Sequence, residues 1–76
     1  MKDEEMNKMI GTWLAEKRNE RGMSQQDAAD LLGVSKSAVH YWETGKRSIY
    51  ATNLVQYCKV IGADLDEFSA LIKGRK

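Results

Sequence analysis

The chain has no proline, one cysteine and one phenylalanine among its 76 residues. The lone Cys58 excludes an internal disulfide, and with the lone His40 it falls short of the roughly four ligands that a zinc site needs. Without proline, no helix is forced to break. No apolar run approaches the roughly 20 residues of a bilayer-spanning helix, and no signal-peptide pattern precedes the rest. The expectation is a soluble, cytoplasmic protein, with Cys58 as a buried apolar residue. No nucleophile–base arrangement, glycine-rich phosphate loop or pair of catalytic carboxylates is visible. An enzyme is therefore the weakest class, and no metal, cofactor or small-molecule ligand is expected. Net charge is scarce as well, at a formal +1.

What charge there is lies unevenly. Met1 to Glu5 holds three carboxylates and one lysine, whereas Leu31 to Ala63 holds four bases (Lys36, Lys46, Arg47, Lys59) and one acid, Glu43. A local positive surface of this kind suits phosphate contact. Apolar residues recur at spacings of three and four, which predicts an all-α fold in a single domain over residues 1–76. So small a core needs efficient helix packing or a second chain. The ends, residues 1–5 and 73–76, are expected to be flexible.

A first helix is predicted from Met6 to Arg21, with Met6, Met9, Ile10, Trp13, Leu14 and Lys17 along one side. Gly22 ends it. Ser24 and Asp27 have the spacing of a capping box. Gln25 to Trp42 then reads as two short helices folded about a glycine. Ala28, Ala29, Leu31 and Leu32 form the apolar set of the first, and Ala29 is small where the second must cross. Gly33 takes the left-handed turn, Val34 plugs it, and Ser35 caps the second helix. Val39 and Trp42 face inward, while Lys36, Ser37, His40 and Tyr41 point elsewhere. A further helix is predicted from Ala51 to Ile61, burying Leu54, Tyr57, Cys58 and Ile61, and is stopped by Gly62. Asp64 begins a last one with Glu67 at the capping-box position and Leu65, Phe68, Leu71 and Ile72 as its apolar set.

The small Ala29, with Gly33, Val39 and Trp42 at their spacing, resembles the XRE-type (Cro and phage-repressor) helix-turn-helix family. Trp42-Glu43-Thr44-Gly45-Lys46-Arg47 is similar to that family's frequent Trp-Glu-x-Gly-Lys-Arg ending. The likeness runs from about Ile10 to Leu71. Many relatives carry a proline after the loop; its absence here leaves the path from Ser48 to Ala51 open. The resemblance implies a compact five-helix, lambda-repressor-like domain with its helix-turn-helix at 25–43. It implies base reading by Lys36, Ser37 and Tyr41, for which lysine offers donors to guanine and serine pairs with either kind of partner. His40 is adjacent, and its position serves a base, a phosphate or solvent equally well. Gln25, Arg18, Lys46, Arg47, Thr44 and Ser48 are the implied contacts to the DNA backbone. Arg18 and Glu43 are also implied to form a partly buried ion pair bracing two helices.

The function expected is a sequence-specific regulator that binds double-stranded DNA, most simply a Cro-like repressor acting by occupancy, since 76 residues leave no room for an effector domain. One such domain reads few base pairs, so a homodimer on a palindromic operator is expected. Val55, Val60, Leu65 and Ile72 are the candidate dimer surface, as apolar residues in excess of the core's needs. A restriction-modification controller and an antitoxin-like autoregulator share the fold. A protein-interaction module that has lost DNA binding fits the low net charge.

Overall fold

The computed structural model describes residues 2–74. Met1, Arg75 and Lys76 lie outside that range, and with them part of the ends expected to be flexible. Among the described residues five helices follow one another: α1 (Asp3–Glu20), α2 (Gln25–Leu32), α3 (Lys36–Thr44), α4 (Ala51–Ile61) and α5 (Leu65–Lys73). Among the described residues no helix is long and apolar enough to cross a membrane. α1 starts three residues earlier than periodicity suggests. Its N-cap Lys2 gives no side-chain bond, but Asp3, Glu4 and Glu5 fill the first turn, where carboxylates oppose the helix dipole.

The caps of α2 and α3 follow directly from local sequence. Ser24 Oγ accepts from the Asp27 amide at 3.0 Å, and the Asp27 carboxylate accepts from the Ser24 amide at 3.0 Å, completing the box. Gly33 turns the chain at φ 71°, a left-handed conformation that a side chain disfavours. The Val34 amide returns to the Ala29 carbonyl at 3.0 Å. Ser35 Oγ then accepts from the Ala38 amide and starts α3. The start of α5 departs from expectation. Asp64 accepts from the Asp66 amide, while the Glu67 carboxylate takes Lys17 Nζ at 2.8 Å instead of returning to the cap. A lysine on α1 thus competes successfully for the box's second half.

Ten apolar side chains form one core, with Leu14, Val39, Tyr57 and Ile61 the largest that are fully enclosed. Ala28 and Ala29 are also fully buried, so α2 lies close against its neighbours. Cys58 is a free, buried thiol whose pKa burial pushes up. Three residues of the expected apolar sets are on the surface: Leu31 is 63% exposed, Leu71 54% and Leu65 37%. On such short helices the inward arc is filled by Ala28, Ala29 and Leu32, or by Phe68 and Ile72, leaving the next position outside. α1 and α3 approach each other closely at Gly11. A Cβ added at Gly11 would sit 2.5 Å from the Glu43 carbonyl oxygen and against that of Trp42.

Candidate nucleic-acid interface

α3 is fixed along its inner side and free along its outer one. Val39, Trp42 and Glu43 are buried, whereas Lys36, Ser37 and His40 are exposed and Tyr41 is half-buried. These four outward side chains and Gln25 of α2 line one shallow hollow of about 350 Å³. The residues expected to read bases thus share a single surface, and Gln25 stands at its edge. The Tyr41 and His40 rings lie 6.0 Å apart.

The loop after α3 is strapped to that helix. Gly45 adopts φ 76°, and the amides of Lys46 and Arg47 both donate to the Tyr41 carbonyl, at 3.0 and 3.3 Å. The Arg47 guanidinium lies 4.8 Å above the Tyr41 ring, a cation–π contact that couples the loop to the outer face. Ser48 Oγ accepts from Asn7 Nδ2 at 2.9 Å, anchoring the segment that lacks proline to α1. That bond leaves the Ser48 hydroxyl proton free to donate.

Behind the outer face lies a buried polar knot that touches four helices. Arg18 of α1 grips Glu43 of α3 through two parallel bonds, Nε to Oε2 at 2.8 Å and Nη2 to Oε1 at 2.9 Å. Gln25 Nε2 of α2 donates to Glu43 Oε1 at 3.1 Å, and the Tyr57 hydroxyl of α4 donates to Oε2. Burial alone would raise the Glu43 pKa, but the bonds from Arg18, Tyr57 and Gln25 outweigh it and hold the carboxylate below its ordinary range. Tyr57 moves the other way, its hydroxyl pushed well above its ordinary value by burial and by Glu43. Among the described residues no buried side-chain nitrogen or oxygen lacks a partner. Such a knot is demanding to keep and costly to cut, because removing one member strands the others.

This knot revises several expectations. Arg18 is only 7% exposed, and its Nη1 is taken by Asn19 Oδ1 and the Met23 carbonyl at 3.1 and 2.7 Å. These bonds hold it as a brace between α1 and α3. The Thr44 hydroxyl donates back to the His40 carbonyl at 2.9 Å. Gln25 keeps one amide proton beyond its bond to Glu43 and stays at the rim of the hollow. Lys46 and Arg47 remain exposed. Glu43, the single acid between Leu31 and Ala63, is buried and neutralised by Arg18, which leaves that stretch with an outwardly basic surface. Of the candidate dimer residues, Val55 and Leu65 are exposed, but Val60 and Ile72 pack against the core and are not in excess of its needs.

Three residues that matter here lie outside the expected site. Gly11 carried the signal of a glycine inside a helical pattern with no capping role. Tyr57 has the spacing of a core residue, and a buried tyrosine hydroxyl needs a partner. Asn7 carried no sequence signal.

A family model described as helix-turn-helix matches residues 14–68. A protein described as HTH-type transcriptional regulator PuuR is 40% identical to the chain over 58 residues, in both Escherichia coli (strain K12) and Shigella flexneri. The matched stretch is 76% of this chain and 31% of each relative, so the chain spans about a third of their length. With its fold, its capped turn and more than half of its length matched, the chain belongs to the XRE-type helix-turn-helix family.

Proposed function

We propose that the chain is a sequence-specific, double-stranded-DNA-binding transcription regulator, most simply a Cro-like repressor occupying a palindromic operator as a homodimer. The observation that carries this reading is the single hollow shared by Gln25, Lys36, Ser37, His40 and Tyr41 on the free side of a braced helix. Lys36, Ser37 and Tyr41, with His40 beside them, read base edges in the major groove. Gln25, Lys46, Arg47 and Ser48 hold phosphates, aided by the amides at the start of α2. Two protomers set their α3 helices into successive turns of one groove, roughly 34 Å apart.

Titration of duplex DNA at increasing salt tests this reading. If Lys46 and Arg47 of both protomers neutralise phosphates, log K falls with log salt at a slope of roughly −4. The low net charge of +1 favours a second reading, a protein-interaction module of the same fold. That reading gives no salt-sensitive duplex binding.

A further inference from the structure

α1 and α5 enclose an open furrow on the protein's outer surface. Met9, Trp13 and Phe68 floor a hollow of about 380 Å³ there, and Leu71, 54% exposed, stands at its edge. A second hollow on the far side of Trp13 and Leu71 continues the furrow to Glu20 and Glu67. Leu71 is therefore an unburied apolar knob set between two hollows. Charge changes sign along the furrow. Lys8 marks one end, while Glu16, Glu20 and Glu67 surround the other, where Lys17 is already bonded to Glu67 and near Glu20. Among the described residues, neither Lys8 nor Glu16 has an ion-pair partner.

Lys8, Thr12 and Glu16 are four residues apart and form one ridge of α1, with the short Thr12 at its midpoint. A two-fold axis crossing α1 at Thr12 brings Lys8 of each copy onto Glu16 of the other, because an isologous contact pairs each residue reciprocally. The same rotation lays the basic end of each furrow on the acidic end of its partner. It also carries Leu71, which borders the furrow near Trp13 and Glu16, to the level of the partner's Met9. At about 100° per residue, Gly11 and Arg18 point from α1 towards α3, Met9 and Glu16 lie on the other side, and Thr12 is lateral, while Lys8 borders the end of α3, its backbone close against Gly45.

We propose that this furrow seats a second copy of the chain in an antiparallel, two-fold arrangement, with Leu71 over the partner's Met9 and Lys8 paired to Glu16. The proposal rests on the homodimer reading above and gives it a surface, in place of the one formed by Val55, Val60, Leu65 and Ile72. The furrow shares no lining residue with the hollow of Lys36, Ser37, His40 and Tyr41, although Lys8 adjoins Gly45 at the end of α3.

Sedimentation equilibrium of the whole chain from about 1 µM to 1 mM tests it, with circular dichroism checking that each variant is folded. The native chain forms a concentration-dependent dimer. Lys8→Glu and Leu71→Lys each weaken it roughly tenfold or more, since every contact occurs twice across the axis. The double variant Lys8→Glu with Glu16→Lys recovers the native dimer, because the charges are exchanged. A native chain that stays monomeric overturns the proposal, as does a dimer indifferent to both single variants or a double variant that fails to recover. Duplex binding measured on the same samples separates the two ideas. Salt-sensitive binding without this dimer refutes the surface alone; this dimer without salt-sensitive binding supports the surface and refutes the DNA reading.

Discussion

Replacing Gly11 by alanine sets two opposed effects against each other, and the structure says which one wins. In an isolated helix the change is favourable by about 1 kcal/mol, because glycine is the poorer helix former. Here the added Cβ falls 2.5 Å from the Glu43 carbonyl oxygen and 2.7 Å from its carbon, nearly 1 Å inside ordinary contact. Both atoms are backbone of a packed helix, so no side chain can rotate away and α1 must separate from α3. Overpacking of this kind costs about 1–3 kcal/mol, and rigid backbone places the cost near the upper end. The expected net loss is about 2 kcal/mol, which for a domain of this size lowers Tm by roughly 10 °C. Gly74→Ala is the control, since its Cβ would lie 3.6 Å from the nearest atom and its backbone is right-handed. Urea unfolding followed by tryptophan fluorescence reads both. A Gly11→Ala variant as stable as the native chain, or more so, would refute the close approach of the two helices.

Other outcomes follow from the polar knot and the outer face. Arg18→Ala leaves Glu43 buried without its main partner and should cost about 3–5 kcal/mol; an unchanged urea midpoint would discard the brace. Glu43 has a lowered pKa in the folded chain, so its contribution is complete above the ordinary carboxylate range and fades as pH falls through that lowered value. Tyr57, raised in the folded chain, contributes fully below its ordinary value near 10 and loses that contribution as pH climbs beyond it. Stability scanned against pH should therefore fall at both ends, and Tyr57→Phe should remove the alkaline fall attributed to this hydroxyl; an identical alkaline limb in the variant would contradict the assignment. Lys36→Ala and Tyr41→Ala should each relax base preference by roughly 1–3 kcal/mol, whereas Lys46→Ala should weaken all duplexes alike. Competition binding across single-base variants distinguishes the two patterns.

Features decided within a few residues were legible in the sequence. The Ser24–Asp27 box, the left-handed Gly33, the Ser35 cap and the inward Val39 and Trp42 need only local spacing, and each has a backbone bond or buried position to match. Features decided by a distant partner were not. Glu67 has the spacing of a capping residue, but whether it caps depends on where Lys17 lies, 50 residues away. Leu31 and Leu71 look like core until the short arcs of α2 and α5 are filled by other side chains. The candidate site divides the same way. Lys36, Ser37, His40 and Tyr41 share a face by helical periodicity. That Arg18 and Thr44 also bond within the chain depends on the Asn19, Met23, Glu43 and His40 acceptors, whose positions the sequence does not give.

Selection of bound duplexes from a random pool at physiological salt tests the central claim most directly. The account predicts recovery of a palindrome with half-sites about one helical turn apart, lost when Lys36 and Tyr41 are both replaced by alanine. A pool that emerges without any enriched sequence would contradict it.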